Sequence, residues 1–396
     1  MLKFNPHKEN CTGCAACYSV CPVRCISMNA DEEGFLYPEA TEACIECNLC
    51  EKVCPIGKEK TENTYNKSVY AAVSKDYRIW HRSTSGGAFS EIVRQWADTE
   101  TLIVGAAWNG FAVHHIGVLG FQNISPLCKS KYLASSIEDM FIEIRSHLQK
   151  DRKAVFCGCP CQVDGLRNFL RKDYEQLLTI DLICHGQGSP LVFAECLKEI
   201  GTQLGAEVLS YEFRTKRRMI EQEYMSKVTT TDGIFYVVSD PYQQLFLKQD
   251  ILRPSCGENC KYRDIRRPGD LTIADCKGLS EIFPDLNGCK QNYSTIVCNT
   301  PRGESAILNL SRTMKLRPYQ LDDVIKYNPL FAHQTWASRN RDSFFLEFVS
   351  SPLETIRKNT RPLIVKRNDI QTVIKSYLPF WMLRLLRRIS SKLRVF

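Results

Sequence analysis

Eight cysteines in two near-identical runs carry the clearest chemistry in the chain: Cys11, Cys14, Cys17 and Cys21-Pro22, then Cys44, Cys47, Cys50 and Cys54-Pro55. Each run reads C-x2-C-x2-C-x3-C-P. Three thiolates two residues apart can wrap a tight turn around one iron–sulfur cube, while the fourth, on the helix leaving that turn, points away and serves the other cube. The pattern implies one [4Fe–4S] cluster on Cys11, Cys14, Cys17 and Cys54, and a second on Cys44, Cys47, Cys50 and Cys21, a pair suited to carrying electrons. Zinc also binds cysteine at CxxC spacing, but paired CxxC motifs explain neither the third in-register cysteine of each run nor the two prolines. Disulfides fit no better: no apolar secretory segment precedes the first ligand, and 20 cysteines then point to a reducing cytoplasm.

A second cysteine population lies far along the chain: Cys157, Cys159 and Cys161 in Phe156-Cys157-Gly158-Cys159-Pro160-Cys161-Gln162, Cys184 before His185-Gly186, and Cys256 with Cys260. Four thiolates from three segments could hold a third cubane. If the chain stays extended through residues 157–161, its three cysteines point the same way and geometry does not choose among them. Cysteine is also common as a small buried apolar residue, a reading that suits Cys128, Cys196, Cys289 and Cys298. Between a strand and a helix-like run, Ser83-Thr84-Ser85-Gly86-Gly87 sets small hydroxyl residues and two glycines at a helix start, where free N–H groups and the dipole can cradle a phosphate. A capped helix with a tight turn accounts for the same residues. His185 could serve as a proton donor or as a hydrogen-bonded scaffold histidine; no catalytic residue is identified.

The elements that would position these groups follow from pattern. Residues 1–57 form an internal duplication, each half a cysteine turn, a short helix and a strand, with Asp31-Glu32-Glu33-Gly34 as a turn and Phe35-Leu36-Tyr37-Pro38 as a strand ending at proline. Polar residues 58–64 read as a linker. Strands at 68–73, 102–107, 154–156 and 177–183 alternate with helical runs such as 89–97, the rhythm of an α/β domain. Residues 209–238 read as hairpins around Thr231-Asp232-Gly233, where α+β is an equal alternative.

Charge is uneven. Residues 1–62 hold ten acids against six Lys or Arg, and residues 353–396 hold eleven Lys or Arg against two acids. No stretch of eighteen apolar residues appears, so no membrane span is expected. After Pro379, Met382, Leu386, Ile389 and Leu393 share one helical face, with Arg384, Arg387, Arg388 and Lys392 largely elsewhere. Such a basic helix could lie on the inner face of a membrane or dock on its own domain or a partner. No nucleic-acid-binding signature accompanies the charge.

In order along residues 1–345, the ferredoxin pair, Val69-Tyr70-Ala71-Ala72, Ser83 to Gly87, Ser130-Lys131-Tyr132, Cys159-Pro160-Cys161-Gln162, Ile183-Cys184-His185-Gly186, Leu252-Arg253-Pro254-Ser255-Cys256 and Gly269-Asp270-Leu271-Thr272-Ile273-Ala274-Asp275 resemble the coenzyme F420 hydrogenase/dehydrogenase beta-subunit family. The resemblance implies a bacterial-type 2[4Fe–4S] ferredoxin fold over 1–57, an α/β flavin-binding domain over 65–345 in two parts meeting near residue 150, and a basic helical tail over 346–396. It implies FAD at Ser83, Thr84, Ser85, Gly86 and Gly87 with Ser130, Lys131 and Tyr132, and a third cluster on Cys161, Cys184, Cys256 and Cys260. Departures are Cys157 and Cys159, where the family usually has small or hydroxyl residues, the three-residue gap between Cys256 and Cys260, where CxxC is more usual, and Cys276 at a commonly aromatic position.

The expected function is that of an iron–sulfur flavoprotein oxidoreductase. Flavin exchanges a hydride pair with a small substrate such as a deazaflavin, whereas cubanes move one electron at a time. The electrons would be exchanged with a carrier protein or a small redox carrier. Alternatives are an electron-transfer subunit without substrate chemistry of its own and an auxiliary protein of surface-polysaccharide synthesis.

Overall fold

The computed structural model describes residues 2, 3, 5, 7–58, 65–216, 225–258, 260–289, 291–333 and 338–366. Most of the expected linker and the basic segment after Pro379 lie outside these residues.

The two cysteine runs fold alike. Helix α1 (Ala16–Val20) follows the first turn and α2 (Leu49–Val53) the second, and the corresponding residues Gly13 and Glu46, then Ala15 and Asn48, are all left-handed. Alternating left-handed residues aim successive N–H groups into one concavity, the arrangement that receives anionic sulfur and phosphate groups. The side chains of Glu46, Asn48 and Ala15 make that conformation a strained one. Strands β1 (Ile26–Ala30) and β2 (Leu36–Ala40) pair antiparallel across the turn at residues 31–34. Two expectations are corrected. β2 runs through Pro38 to Ala40, which a two-stranded edge permits because proline lacks only a donor. Among the described residues of the 1–57 unit, no strand follows α2.

Beyond residue 65 come β3 (Val69–Ser74), α3 (Tyr77–Arg82), α4 (Ala88–Trp96), β4 (Leu102–Asn109), β5 (Ala112–Leu119), α5 (Met140–Leu148), β6 (Ala154–Gly158), α6 (Pro160–Leu170), β7 (Leu177–Leu182) and α7 (Pro190–Leu204). Then follow β8 (Val208–Glu212), β9 (Ser226–Thr230), β10 (Gly233–Ser239), α8 (Pro241–Lys248), β11 (Leu271–Asp275), α9 (Leu279–Ile282), β12 (Ser294–Cys298), α10 (Pro301–Ile307), β13 (Met314–Pro318), α11 (Leu321–Tyr327), α12 (Arg341–Ser350), α13 (Pro352–Asn359) and β14 (Ile364–Lys366). The eight-stranded sheet has the order β13-β3-β12-β11-β7-β6-β4-β5. Its centre, β4-β6-β7-β11, is parallel and its flanks are antiparallel. β6 and β7 are almost wholly buried and largely apolar, as parallel strands covered on both faces must be, apart from Thr179 and Asp181 of β7.

A second, antiparallel sheet, β14-β10-β9-β8, settles the alternative left open at 209–238 in favour of α+β there. Its core joins Phe193 of α7, Tyr211, Val228, Tyr242 of α8, and Phe344, Phe345 and Phe348 of α12. The division expected at residue 345 falls inside α12, whose three phenylalanines pack together. Of the four cysteines read as buried apolar residues, Cys196 and Cys298 are buried and Cys128 half-buried, but Cys289 is exposed in a loop after α9.

The ferredoxin unit is seated on this body. Gly165 of α6 faces Cys14, where a Cβ would lie 2.9 Å from its sulfur. Buried Arg253 donates from Nε to Cys11 O at 2.8 Å and from Nη2 to Leu36 O at 2.6 Å. At Gly13, besides the left-handed backbone, a Cβ would meet that guanidinium at 2.8 Å. Arg341 pairs with Glu33, and Arg24 with Asp139 at 2.8 Å.

Candidate functional site

Cys11, Cys14, Cys17 and Cys54 line one cavity beneath α1. Burial drives the Cys14 thiol up to about 12 and Cys17 well above its usual value, with the neighbouring thiols adding to both. Such sulfurs become thiolates when metal charge compensates them. Cys44 and Cys47 are exposed, and Cys50 and Cys21 half-buried, so the second set sits at the surface. The sequence reading missed Cys25, buried with its sulfur 3.4 Å from that of Cys21. Its hydrogen bond with Cys21 and its burial push it up to about 11. Only the extra cysteine in Cys21-Pro22-Val23-Arg24-Cys25 could have signalled it.

The second population converges at the carboxyl ends of β6 and β7, where parallel sheets open into binding crevices. Cys161, Cys184, Cys256 and Cys260 line one cavity, whose wall also includes Thr12 of the ferredoxin unit. The extended backbone considered for residues 157–161 does not form. α6 begins at Pro160, so Cys157 stays in β6, Cys159 caps the helix and Cys161 occupies its first turn. Cys159 still lies close, its sulfur 3.7 Å from that of Cys184. That hydrogen bond holds Cys184 below the usual thiol range, at about 7. Arg267, buried and bonded to Asp181 Oδ1 at 2.8 Å, Leu182 O and Tyr262 O, ties the Cys260 segment to the end of β7.

This donor set fits a cubane. Ser255, on the cavity wall, has a buried hydroxyl without a hydrogen-bond partner among the described residues. No three His, Cys, Asp or Glu side chains among the described residues converge on a single-ion position. Thiolates on separate corners of a cube stand further apart than ligands of one tetrahedral ion.

A third cavity, polar and about 370 Å³, opens beside Ser85 and is lined by Arg214, Asp275, Cys276, Lys277 and Tyr293 among others. Ser83 to Gly87 connect α3 to α4 rather than following a strand, because the short helix α3 intervenes. Thr84 Oγ1 accepts from Ser130 N at 2.8 Å, Ser85 donates to Tyr293 O at 2.7 Å, and Gly86 N donates to Ser294 Oγ at 2.9 Å. Gly87 caps α4. Ser83 donates to Ile79 O within α3 at 2.7 Å. Lys131 is turned inward onto the carbonyls of Ala106, Pro126 and Cys128 at 2.8–2.9 Å, and burial lowers it to about 8. Tyr132 accepts from Arg214, which also pairs with Asp275. Arg214 and Lys277 escaped the sequence reading, since neither belongs to a spaced motif.

His185 bonds Phe246 O through Nε2 at 3.0 Å, and burial, Arg263 and Lys277 all hold it below its usual value, which favours the scaffold reading. His185 lies in the wall of the second cysteine cavity. Among the described residues no helix is long and apolar enough to cross a membrane.

Residues 151–323 match the family model for the C terminus of the coenzyme F420 hydrogenase/dehydrogenase beta subunit, and residues 10–58 match the 4Fe-4S dicluster domain. An uncharacterized ferredoxin of Methanocaldococcus jannaschii is 35% identical over 69 residues, 15% of this chain and 90% of that protein. NADH-quinone oxidoreductase subunit I 2 of Geobacter metallireducens is 33% identical over 75 residues, 17% of this chain and 57% of its own length. A 7Fe ferredoxin of Hydrogenibacillus schlegelii is 42% identical over 50 residues, 12% of this chain and 59% of its own length. A chain of the xenon-derivatized F420-reducing [NiFe] hydrogenase complex from Methanosarcina barkeri aligns with a TM-score of 0.45 and 15% identity, covering 74% of this chain and 90% of that one.

Proposed function

Given that residues 151–323 belong to the coenzyme F420 hydrogenase/dehydrogenase beta-subunit family and residues 10–58 form a 4Fe-4S dicluster domain, we propose that the chain is an iron–sulfur flavoprotein oxidoreductase. Cys44, Cys47, Cys50 and Cys21, at the surface, face a carrier protein or small redox carrier. Cys11, Cys14, Cys17 and Cys54 follow beneath α1, and Cys161, Cys184, Cys256 and Cys260 hold a third cluster by the carboxyl ends of the central strands β6 and β7. The polar cavity beside Ser85 takes FAD and a small substrate such as a deazaflavin, with Thr84, Ser85, Gly86, Gly87 and Ser130 near the anionic part and Tyr132 beside Arg214. Bound flavin supplies the exchange of a hydride pair for single electrons. The observation that carries this reading is the convergence of four cysteines from three distant segments on one cavity, whose wall also includes Thr12 of the ferredoxin unit.

Iron, acid-labile sulfide and flavin per chain, on anaerobically prepared protein, test it. The expected result is about twelve irons and one FAD, falling to about eight irons when Cys161, Cys184, Cys256 or Cys260 is replaced by serine and staying near twelve in Cys157→Ser. About eight irons in the unmodified chain would remove the third cluster. The inward use of Ser83 and Lys131 favours a second reading, an electron-transfer subunit without flavin chemistry of its own; twelve irons with no flavin would select it.

A further inference from the structure

Gln187 lines the cavity of the second cysteine population and reaches Thr12 of the first. It is 5% exposed. Its backbone N donates to Cys256 Sγ at 3.3 Å and its Nε2 to Cys161 Sγ at 3.3 Å, so one residue places a donor on two of the four sulfurs. The same Nε2 lies 3.2 Å from Thr12 O, the carbonyl of the residue after Cys11, and Thr12 belongs to the walls of both cavities. Gln187 is itself held fast: its carbonyl accepts from Arg253 N at 2.8 Å, and the Arg253 side chain reaches Cys11 O.

We propose that Gln187 is the residue that raises the reduction potential of the third cluster and links it to the first cysteine set. This rests on the assignment of that cluster to Cys161, Cys184, Cys256 and Cys260. A cluster gains negative charge on reduction, and a donor to a ligand sulfur stabilises the reduced form more than the oxidised one. The amide also supplies a hydrogen-bonded path from Cys161 through Thr12 to the Cys11 turn.

The test is an EPR-monitored redox titration of the anaerobically purified full chain, unmodified and as Gln187→Leu and Gln187→Glu, with iron counted in each. Leucine removes the side-chain donor and keeps the backbone one; glutamate keeps the shape but presents acceptors. The expected result is full iron in the variants and a midpoint lower by about tenfold in the reduced-to-oxidised ratio, 59 mV for one electron, at one cluster only. A larger fall is expected for glutamate. Unmoved midpoints with iron retained would overturn the inference. So would loss of about four irons from both variants, which would make Gln187 a purely structural residue. Only eight irons in the unmodified chain would instead overturn the third-cluster assignment, and this inference with it.

Discussion

Replacing Arg253 by methionine should loosen the ferredoxin unit from the body without unfolding either. Methionine keeps an apolar stem of similar length against Tyr37, whose ring the guanidinium covers at 4.3 Å. It removes the two bonds to Cys11 O and Leu36 O, the first buried and the second partly so. Hydrogen bonds to a charged group contribute about 1.5–3 kcal/mol each, so the pair amounts to about 3–6 kcal/mol. Returning to a neutral side chain recovers part of the guanidinium's desolvation, so about 3 kcal/mol is the expected net loss. At about 1.4 kcal/mol per decade that is a hundredfold or slightly more in the local opening equilibrium. Hydrogen exchange on the anaerobic, iron-loaded chain reads it directly. Amides of the Cys11 turn and of β1 and β2 should lose protection by about a hundredfold, whereas β6 and β7 should not change. Protection at residues 11–40 within threefold of the unmodified chain would refute the reasoning, and so would an equal loss across both sheets.

Two further outcomes are expected. Gly165→Val puts branched carbon where even a Cβ would stand 2.9 Å from Cys14 Sγ; overpacking of this kind costs about 1–3 kcal/mol, and the chain should be purified with about four irons fewer, checked by iron analysis. His115, 2% exposed between Cys157 O and Ser135, is held down to about 4 by burial, against an ordinary value near 6.5. Because its folded value is depressed, its neutral form supports the fold fully above about pH 6.5, and that support drains away as pH falls towards 4, a swing of about 3 kcal/mol. His115→Phe should therefore flatten the fall in melting temperature between pH 6.5 and 4.5, measured by thermal unfolding; an unchanged slope would show that His115 does not carry it.

The metal-binding turns were legible because their information is local. The spacing of Cys11 to Cys21 and of Cys44 to Cys54 specifies a turn and a helix start within a dozen residues, and the matching left-handed positions at 13 and 46, and at 15 and 48, repeat that spacing in the backbone. The strands and helices of the larger domain were legible for a similar reason: short apolar runs such as 154–156 suit parallel strands buried on both faces. Tertiary structure decided everything that needs distant segments to meet. Which of Cys157, Cys159 and Cys161 faces the cavity depends on α6 beginning at Pro160, a boundary that spacing does not mark. The meeting of Cys161, Cys184 and Cys256 depends on β6 and β7 lying side by side at the centre of the sheet. Gln187, Arg214 and Lys277 carry no motif, and their roles come from what the fold sets around them. A cysteine's spacing chooses its partners within a turn; across the chain, the order of the strands chooses them.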